Sequence, residues 1–295
     1  MTQLARQPAR NDAVKTVDSY LHKAKDAIAI RLAEKFSADE MTALVHTSMR
    51  KTRHLAECDP LSIVGCVYEA AQVGLRPDAI LGHCYLVPYR NGKRSSREKH
   101  DVYECQLIIG YKGMLVLAYQ AGTLASHSTA VVYERDEFEY TDGTEFFLRH
   151  KPSKRRDHGK PEWTYCALRL AGGGATGRVI PWWRIEDLQK RAAPGSPWQS
   201  HLEAMAEKTA IRRACKGLPM SPHAERVMQL DARAEVGLPQ NTRAIAGALL
   251  GEELSDAEFD DEDEGFIEAE ESAPDAGKQL ETLLDGEDPS DSNAP

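Results

Sequence analysis

The chain has 295 residues, enough for one large or two modest domains, with 28% charged and 41% hydrophobic side chains and a formal net charge of −9. Six cysteines without a CxxC pair, no N-terminal apolar leader and no long apolar run argue against a disulfide scaffold and a membrane protein, and for a cytosolic chain with reduced thiols. The charge is unevenly spread: residues 241–295 hold 18 Asp/Glu against Arg243 and Lys278, while residues 1–240 hold 35 Lys/Arg against 28 Asp/Glu. A basic body with an acidic tail suits a polyanionic partner whose access is modulated, and equally a solubilising tail on an ordinary globule.

In chain order, residues 1–15 are polar and read as a flexible N-terminus. Residues 17–36 carry Val17, Leu21, Ala24, Ile28 and Leu32 at helical spacing. Ser37, with Glu40 three residues on, offers a capping box for a helix running to about Arg53. Asp59-Pro60 opens another helix, apolar nearly all round, which stops at Gly74. Arg76-Pro77-Asp78 makes a turn. Strand character follows at residues 83–89 and 102–109. Between them, residues 90–101 carry Arg90, Lys93, Arg94, Arg97 and Lys99. This predicts a hairpin with a long, basic, mobile loop, either an idle insertion or an arm that closes over an anionic strand.

Residues 106–122, QLIIGYKGMLVLAYQAG, are the most informative stretch. A β-branched strand runs into Gly110-Tyr111-Lys112-Gly113, and an apolar helix then ends at Gly122. The turn holds an aromatic ring beside an ammonium group. Its glycines let a ligand's backbone approach, and the helix N-terminus behind it favours anions. Tyr for stacking and Lys for phosphate are the minimal kit for a single nucleic-acid strand. The bland alternative is a surface turn with a solvated lysine.

More strands are predicted at residues 124–133, 137–141 and 145–150, the last two joined at Asp142-Gly143, a strong hairpin signal. Residues 151–160, KPSKRRDHGK, form a second basic loop. Residues 162–171 and 178–182 flank a glycine-rich turn. The fold class is therefore α+β, with a mostly antiparallel sheet and packed helices. Residues 183–191 read as helical, and Trp198 opens a second informative stretch. In it, Lys208, Arg212 and Lys216 lie four apart and make one cationic stripe. Ala204, Ile211, Ala214, Cys215 and Leu218 fall roughly opposite, and Arg213 lies off the stripe beside Met205 and Thr209. A row like this meets successive phosphates, or is a solvated face with ion pairs. A last helix is expected at residues 222–235. The predicted organisation is a flexible 1–15, a core at 16–236, and an acidic, largely disordered tail at 237–295, in which residues 245–250 and 280–284 are apolar enough to fold on a partner.

Several chemistries are missing. No GxxxxGK[ST], HExxH or GxSxG motif occurs. His54, Cys58, His83 and Cys84 lack paired zinc-ligand spacing. The acids of residues 134–139 alternate along a strand and suit a wet face better than a two-metal nuclease site. The chain reads as a binder rather than an enzyme.

Residues 106–122, preceded by GLRPDAILGHCYLVPY and followed by the motif at residues 203–219, resemble the RecT family of phage and prophage single-strand annealing proteins. The resemblance spans roughly residues 61–219. It implies ATP-independent annealing of complementary strands in recombination, with no cofactor and Mg²⁺ at most a modulator. It also implies a fold related to Redβ with a curved antiparallel sheet, and ring or helical homo-oligomers holding DNA in a basic groove. Implied partners are single-stranded DNA, the annealed duplex, a cognate exonuclease and a host single-strand-binding protein, in the cytoplasm of a bacterial host. Carried onto this chain, Lys112, Lys208, Arg212, Arg213 and Lys216 become the DNA contacts. Tyr111, Thr209, Trp198, Lys93 and Arg94 complete the candidate set. Glu207 stands where basic character is common in the family. The competing readings are a passive strand-coating protein and a metal-dependent nuclease. Residues 258–266 resemble the acidic, Phe-bearing tip of bacterial single-strand-binding proteins, although that tip acts at a free C-terminus and this one is internal.

Overall fold

A computed structural model describes residues 6–32, 36–78, 80–191, 197–235 and 237–252. The first elements are α1 (Arg6–Lys23), α2 (Lys25–Leu32), α3 (Ala38–Lys51), α4 (Pro60–Gln72), β1 (Cys84–Arg90), α5 (Gly92–Glu98), β2 (Tyr103–Ile109) and α6 (Tyr111–Gln120). They continue as β3 (Leu124–Tyr133), β4 (Glu137–Thr141), β5 (Phe147–Lys151), β6 (Pro161–Leu170), β7 (Ala175–Pro181), α7 (Trp182–Arg191), α8 (Pro197–Ser200), α9 (Leu202–Cys215), α10 (Pro222–Glu235) and α11 (Thr242–Leu250). The α+β class with antiparallel sheets and packed helices is as expected. Among the described residues, however, the strands pair as a three-stranded sheet and two separate two-stranded ones rather than as one sheet.

The chain divides into two compact units. The first takes the described residues up to Ala71, Leu86–Leu107 and those from Leu230 on. Its N-terminal helix begins at Arg6, so the expected loose segment at 1–15 is largely helical. Val17, Leu21, Ala24 and Ile28 are buried, as their spacing required. The capping box forms: Ser37 Oγ accepts the Glu40 N–H at 3.1 Å, and the Glu40 carboxylate accepts the Ser37 N–H at 2.8 Å. Asp59 caps α4 by accepting the Leu61 N–H at 2.9 Å, and α4 is buried on nearly every side.

Two expectations fail in this unit. The loop at residues 90–101 is a short helix, α5, started by the Asn91 side chain, which accepts the Arg94 N–H at 3.0 Å. A residue that caps a helix looks the same in sequence as one that makes a turn. The boundary placed at 236/237 also falls too early, because residues 237–252 belong to the fold. Gln240 is buried and its amide completes the edge of β2, accepting the Leu107 N–H at 2.7 Å and donating to the Leu107 carbonyl at 2.9 Å. Gln106 donates to the Leu238 carbonyl at 2.8 Å, and Tyr89 Oη donates to that of Gly237 at 2.8 Å. Thr242 packs so closely on α4 that a Cβ on Gly65 would lie 1.9 Å from its carbonyl oxygen. The expected acidic stretch beyond residue 252, with its apolar residues 280–284, lies outside the described residues.

The second unit is Gln72–Tyr85 and Ile108–Gln229. Its centre is the antiparallel sheet β3-β6-β7. Side chains of β6 alternate between two layers. Cys166 faces Cys215 of α9, which packs across all three strands. Tyr165 and Trp163 face the other way, onto the β4–β5 hairpin: the Tyr165 ring stacks 5.9 Å from Phe138, and the Trp163 ring meets Tyr140 edge-on at 5.7 Å. The hairpin pairs Thr141 with Phe147, so its loop is five residues long and Gly143 there takes a positive φ of 98°. The sheet is thus sandwiched between helix α9 and a second β layer.

Candidate nucleic-acid interface

Tyr111 and Lys112 are the first two residues of α6, with Gly110 at its N-cap. The turn predicted at residues 110–113 is therefore the opening of the helix itself. Its glycines serve a purpose other than the expected one. A Cβ on Gly110 would lie 2.1 Å from the Gly82 carbonyl oxygen, and one on Gly113 would lie 2.0 Å from that of His83. The Gly110 N–H donates to the His83 carbonyl at 3.0 Å. The backbone that approaches these glycines is the chain's own residues 82–83, not a ligand's.

That approach builds a surface the sequence concealed. Tyr85 and Tyr111 are each 39% exposed, and the aliphatic stem of Lys112 runs past Gly82. Lys112 Nζ lies 6.0 Å from the Tyr111 ring centroid. Burial, then the charges of Arg76 and Lys112, push His83 below its ordinary value, so it stays neutral at neutral pH beside two fixed cations. Tyr85 and Arg76 were missed as site residues because a strand residue and a turn residue carry no mark of the helix end they face.

The second cluster is on α9, which packs against α6 within the same unit. Ala206, Ala210, Ile211, Ala214 and Cys215 are buried against the sheet. Ala204, expected on that side, is exposed instead. Lys208, Arg212 and Lys216 lie on the outer half with Thr209 and Arg213 alongside. Lys112, Lys208 and Lys216 have no carboxylate partner among the described residues. The acids of α9 face elsewhere. Glu203 accepts a hydrogen bond from Tyr133 Oη at 2.6 Å, and burial with the Glu203 charge pushes the Glu207 carboxyl up, with Thr129 hydrogen-bonded to it. Burial and Glu203 push the Tyr133 phenol up to about 12, so it remains a donor. Glu207 therefore sits beside β3, roughly 100° around the helix from Lys208. Glu203, although exposed, and the half-buried Glu207 are thus engaged at β3, while the half-buried Lys208 and Arg212 and the exposed Lys216 lie on the other side of α9.

Four candidates are placed differently. Thr209 Oγ1 donates its proton to the Met205 carbonyl at 2.8 Å, which leaves it only acceptor capacity. Trp198 is half-buried on α8, and its carbonyl accepts from Gln189 at 3.1 Å. Arg94 and Lys93 belong to the first unit. Lys93 is exposed, but Arg94 is turned inward with its side chain 17% exposed, bound to Asp59 at 3.3 Å, Glu98 at 3.0 Å and Glu104 at 2.9 Å. Burial opposes its charge, and Glu104 and Asp59 more than offset that. Arg94→Ala is therefore expected to act on stability, by about 3 kcal/mol, since it strands the part-buried Glu104 carboxylate, while Asp59 keeps Arg243 at 2.9 Å. A denaturant midpoint measures that loss; DNA affinity per folded molecule should not move.

Among the described residues no group of three His, Cys, Asp or Glu side chains is placed to hold a metal ion. His54 stacks on Tyr103, and burial drives the Cys58 thiol far up, away from thiolate chemistry. No described helix is long and apolar enough to cross a membrane.

Comparison with known proteins points the same way as the cationic surfaces. The RecT family model matches residues 35–236. The chain is 36% identical over 253 residues to Protein RecT of Escherichia coli strain K12, covering 83% of this chain and 91% of that protein. It is 25% identical over 179 residues to the uncharacterized protein YqaK of Bacillus subtilis strain 168, covering 59% of this chain and 57% of that one.

Proposed function

The chain belongs to the RecT family, and from that premise we propose that it anneals complementary single DNA strands in recombination without ATP, working as a DNA-bound oligomer. The observation that carries this reading is the sorting of charge on α9, with Lys208, Arg212 and Lys216 outward and Glu203 and Glu207 engaged at β3. Such a row holds a phosphate backbone without reading bases. Lys112 adds a fourth cation, and Tyr111 with Tyr85 offers rings on which bases stack. The energy for annealing comes from base pairing and stacking, about 1.4 kcal/mol per step, so the protein needs only to hold one strand extended and tolerate a second. A ring or helical filament, a cognate exonuclease, a host single-strand-binding protein, and action in the cytoplasm of a bacterium that carries the gene on a phage or prophage complete the proposal.

A fluorescence annealing assay with and without ATP and Mg²⁺ tests it. Acceleration without either supports the reading. Strand binding with no acceleration makes the protein a coat, and shortening of DNA with Mg²⁺ makes it a nuclease.

Residues 253–295 hold 17 Asp/Glu against one lysine and are proposed to compete with DNA for the cations of the core. Deletion from residue 253 onward is expected to tighten strand binding several-fold at low salt and to have little effect at high salt. Unaltered affinity at low salt, measured by anisotropy, defeats the idea. The cut must not be made at 237 or 241, which would remove Gln240 and α11.

A further inference from the structure

We propose that residues 151–160 form a second strand-binding surface, one that receives the incoming complementary strand while the first occupies α9. The proposal rests on the annealing reading above and adds a site to it. The loop is built rather than slack. Asp136, whose side chain is 1% exposed, accepts the Ser153 N–H at 2.8 Å, the Tyr133 N–H at 3.0 Å and His150 Nε2 at 3.1 Å. His150 is in turn held at its other nitrogen by Tyr165 Oη at 3.2 Å. The Arg155 N–H donates to Ser153 Oγ, the Gly159 N–H to the Asp157 carboxylate, the Arg135 N–H to the His158 carbonyl and the Glu134 N–H to the Lys160 carbonyl. A buried carboxylate at the root and backbone bonds along both sides fix the loop before any ligand arrives.

What the loop then displays is positive. Lys154, Arg155, Arg156 and Lys160 are all exposed and have no ion pair among the described residues. The loop's one acid, Asp157, is neutralised by Arg135. The outward face of the β4–β5 hairpin leads into the loop with Phe147, which is 48% exposed; its charges balance, Glu139 standing opposite Arg149 and Glu137 bound to Lys151 at 2.7 Å, so the positive charge is that of the loop itself. Cations in a fixed array beside an exposed ring match a phosphodiester strand with accessible bases. The β4–β5 hairpin lies on the face of the β3-β6-β7 sheet away from α9, so the two cationic surfaces of this unit are separated by a sheet. Two strands of like charge repel one another, and a second cationic surface lets a protein already loaded with one strand recruit another.

The test uses the full-length chain with Lys154→Glu, Arg155→Glu and Arg156→Glu combined, and a Gln version of the same three. Two complementary unstructured oligonucleotides serve as probes. Affinity for the first, by anisotropy, should stay within about twofold of wild type. The annealing rate, when the second is added to the preloaded complex, should fall about tenfold or more for Glu and less for Gln. The salt slope of that rate should shrink by about 2, as expected for three lost phosphate contacts. An unchanged annealing rate overturns the second site. A fall in first-strand affinity as large as the fall in rate also overturns it, by making the loop part of the first site. A wild-type chain that binds strands but does not accelerate annealing sinks the proposed function and this inference together.

Discussion

Replacing Lys208, Arg212 and Lys216 together by glutamate is expected to weaken single-strand binding by at least a hundredfold at about 50 mM salt, with the log-log salt slope reduced by about 2. The three positions share one outward row of α9, while its inner face is packed by Ala206, Ala210, Ile211, Ala214 and Cys215. Reversal there removes attraction and adds repulsion without opening the apolar core; because Lys208 and Arg212 are half-buried and Arg212 has interactions within the fold, affinity is compared per folded molecule. The loss should also fade as salt rises, since only the ionic part of binding is altered. Titration of a labelled oligonucleotide at several salt concentrations, beside a melting curve, reads both. Affinity and slope that match the parent would remove α9 as the backbone-holding element, and the charge sorting would then be a solubility feature.

The second large effect concerns stability. Gly113→Ala places a methyl group 2.0 Å from the His83 carbonyl oxygen, and Gly110→Ala places one 2.1 Å from that of Gly82. Inside a helix, alanine would ordinarily gain about 1 kcal/mol over glycine. Here the backbone itself must move, and a net loss of roughly 3 kcal/mol is expected for Gly113→Ala. Gly172→Ala is the control, because nothing stands within 4 Å of its added Cβ. Chemical denaturation of the three variants separates the two accounts of these glycines. A Gly113→Ala protein as stable as the parent but poor at holding DNA would return them to the ligand.

Much of the fold could be read from residue order alone, wherever a local signal had one structural meaning. Ser37 with Glu40, Pro60 after Asp59, and Gly122 after an apolar run each start or stop a helix by backbone chemistry that needs no distant partner. The strand at Leu124–Tyr133 and the helix at Pro222–Glu235 fall where they were expected for the same reason. The failures share a different cause. Arg94 reads as one of several cations in a polar stretch until Glu104, ten residues on, and Asp59, 35 residues back, are folded onto it. The glycines of the Tyr111 turn read as a ligand's approach until residues 82–83 occupy that space. The stripe on α9 was visible from four-residue spacing, but the sorting of its acids was not, because Glu203 and Glu207 find their place only through Tyr133 and Thr129 on another element. Tyr85 and Arg76 left no trace at all, since alternation along a strand says which side a ring lies on and not what lies beside it.

The first unit is assembled from both ends of the polypeptide, with Gln240 finishing the edge of β2 and Lys23 reaching Glu252 at 3.5 Å. A ribosome delivers those ends far apart in time. The second unit, almost wholly within residues 108–229, emerges complete while the helices ahead of it still await the peptide that seals them. During translation the nascent chain therefore exposes an unfinished apolar bundle, and a stalled or prematurely terminated message yields a product with a formed second unit and an open, aggregation-prone remainder.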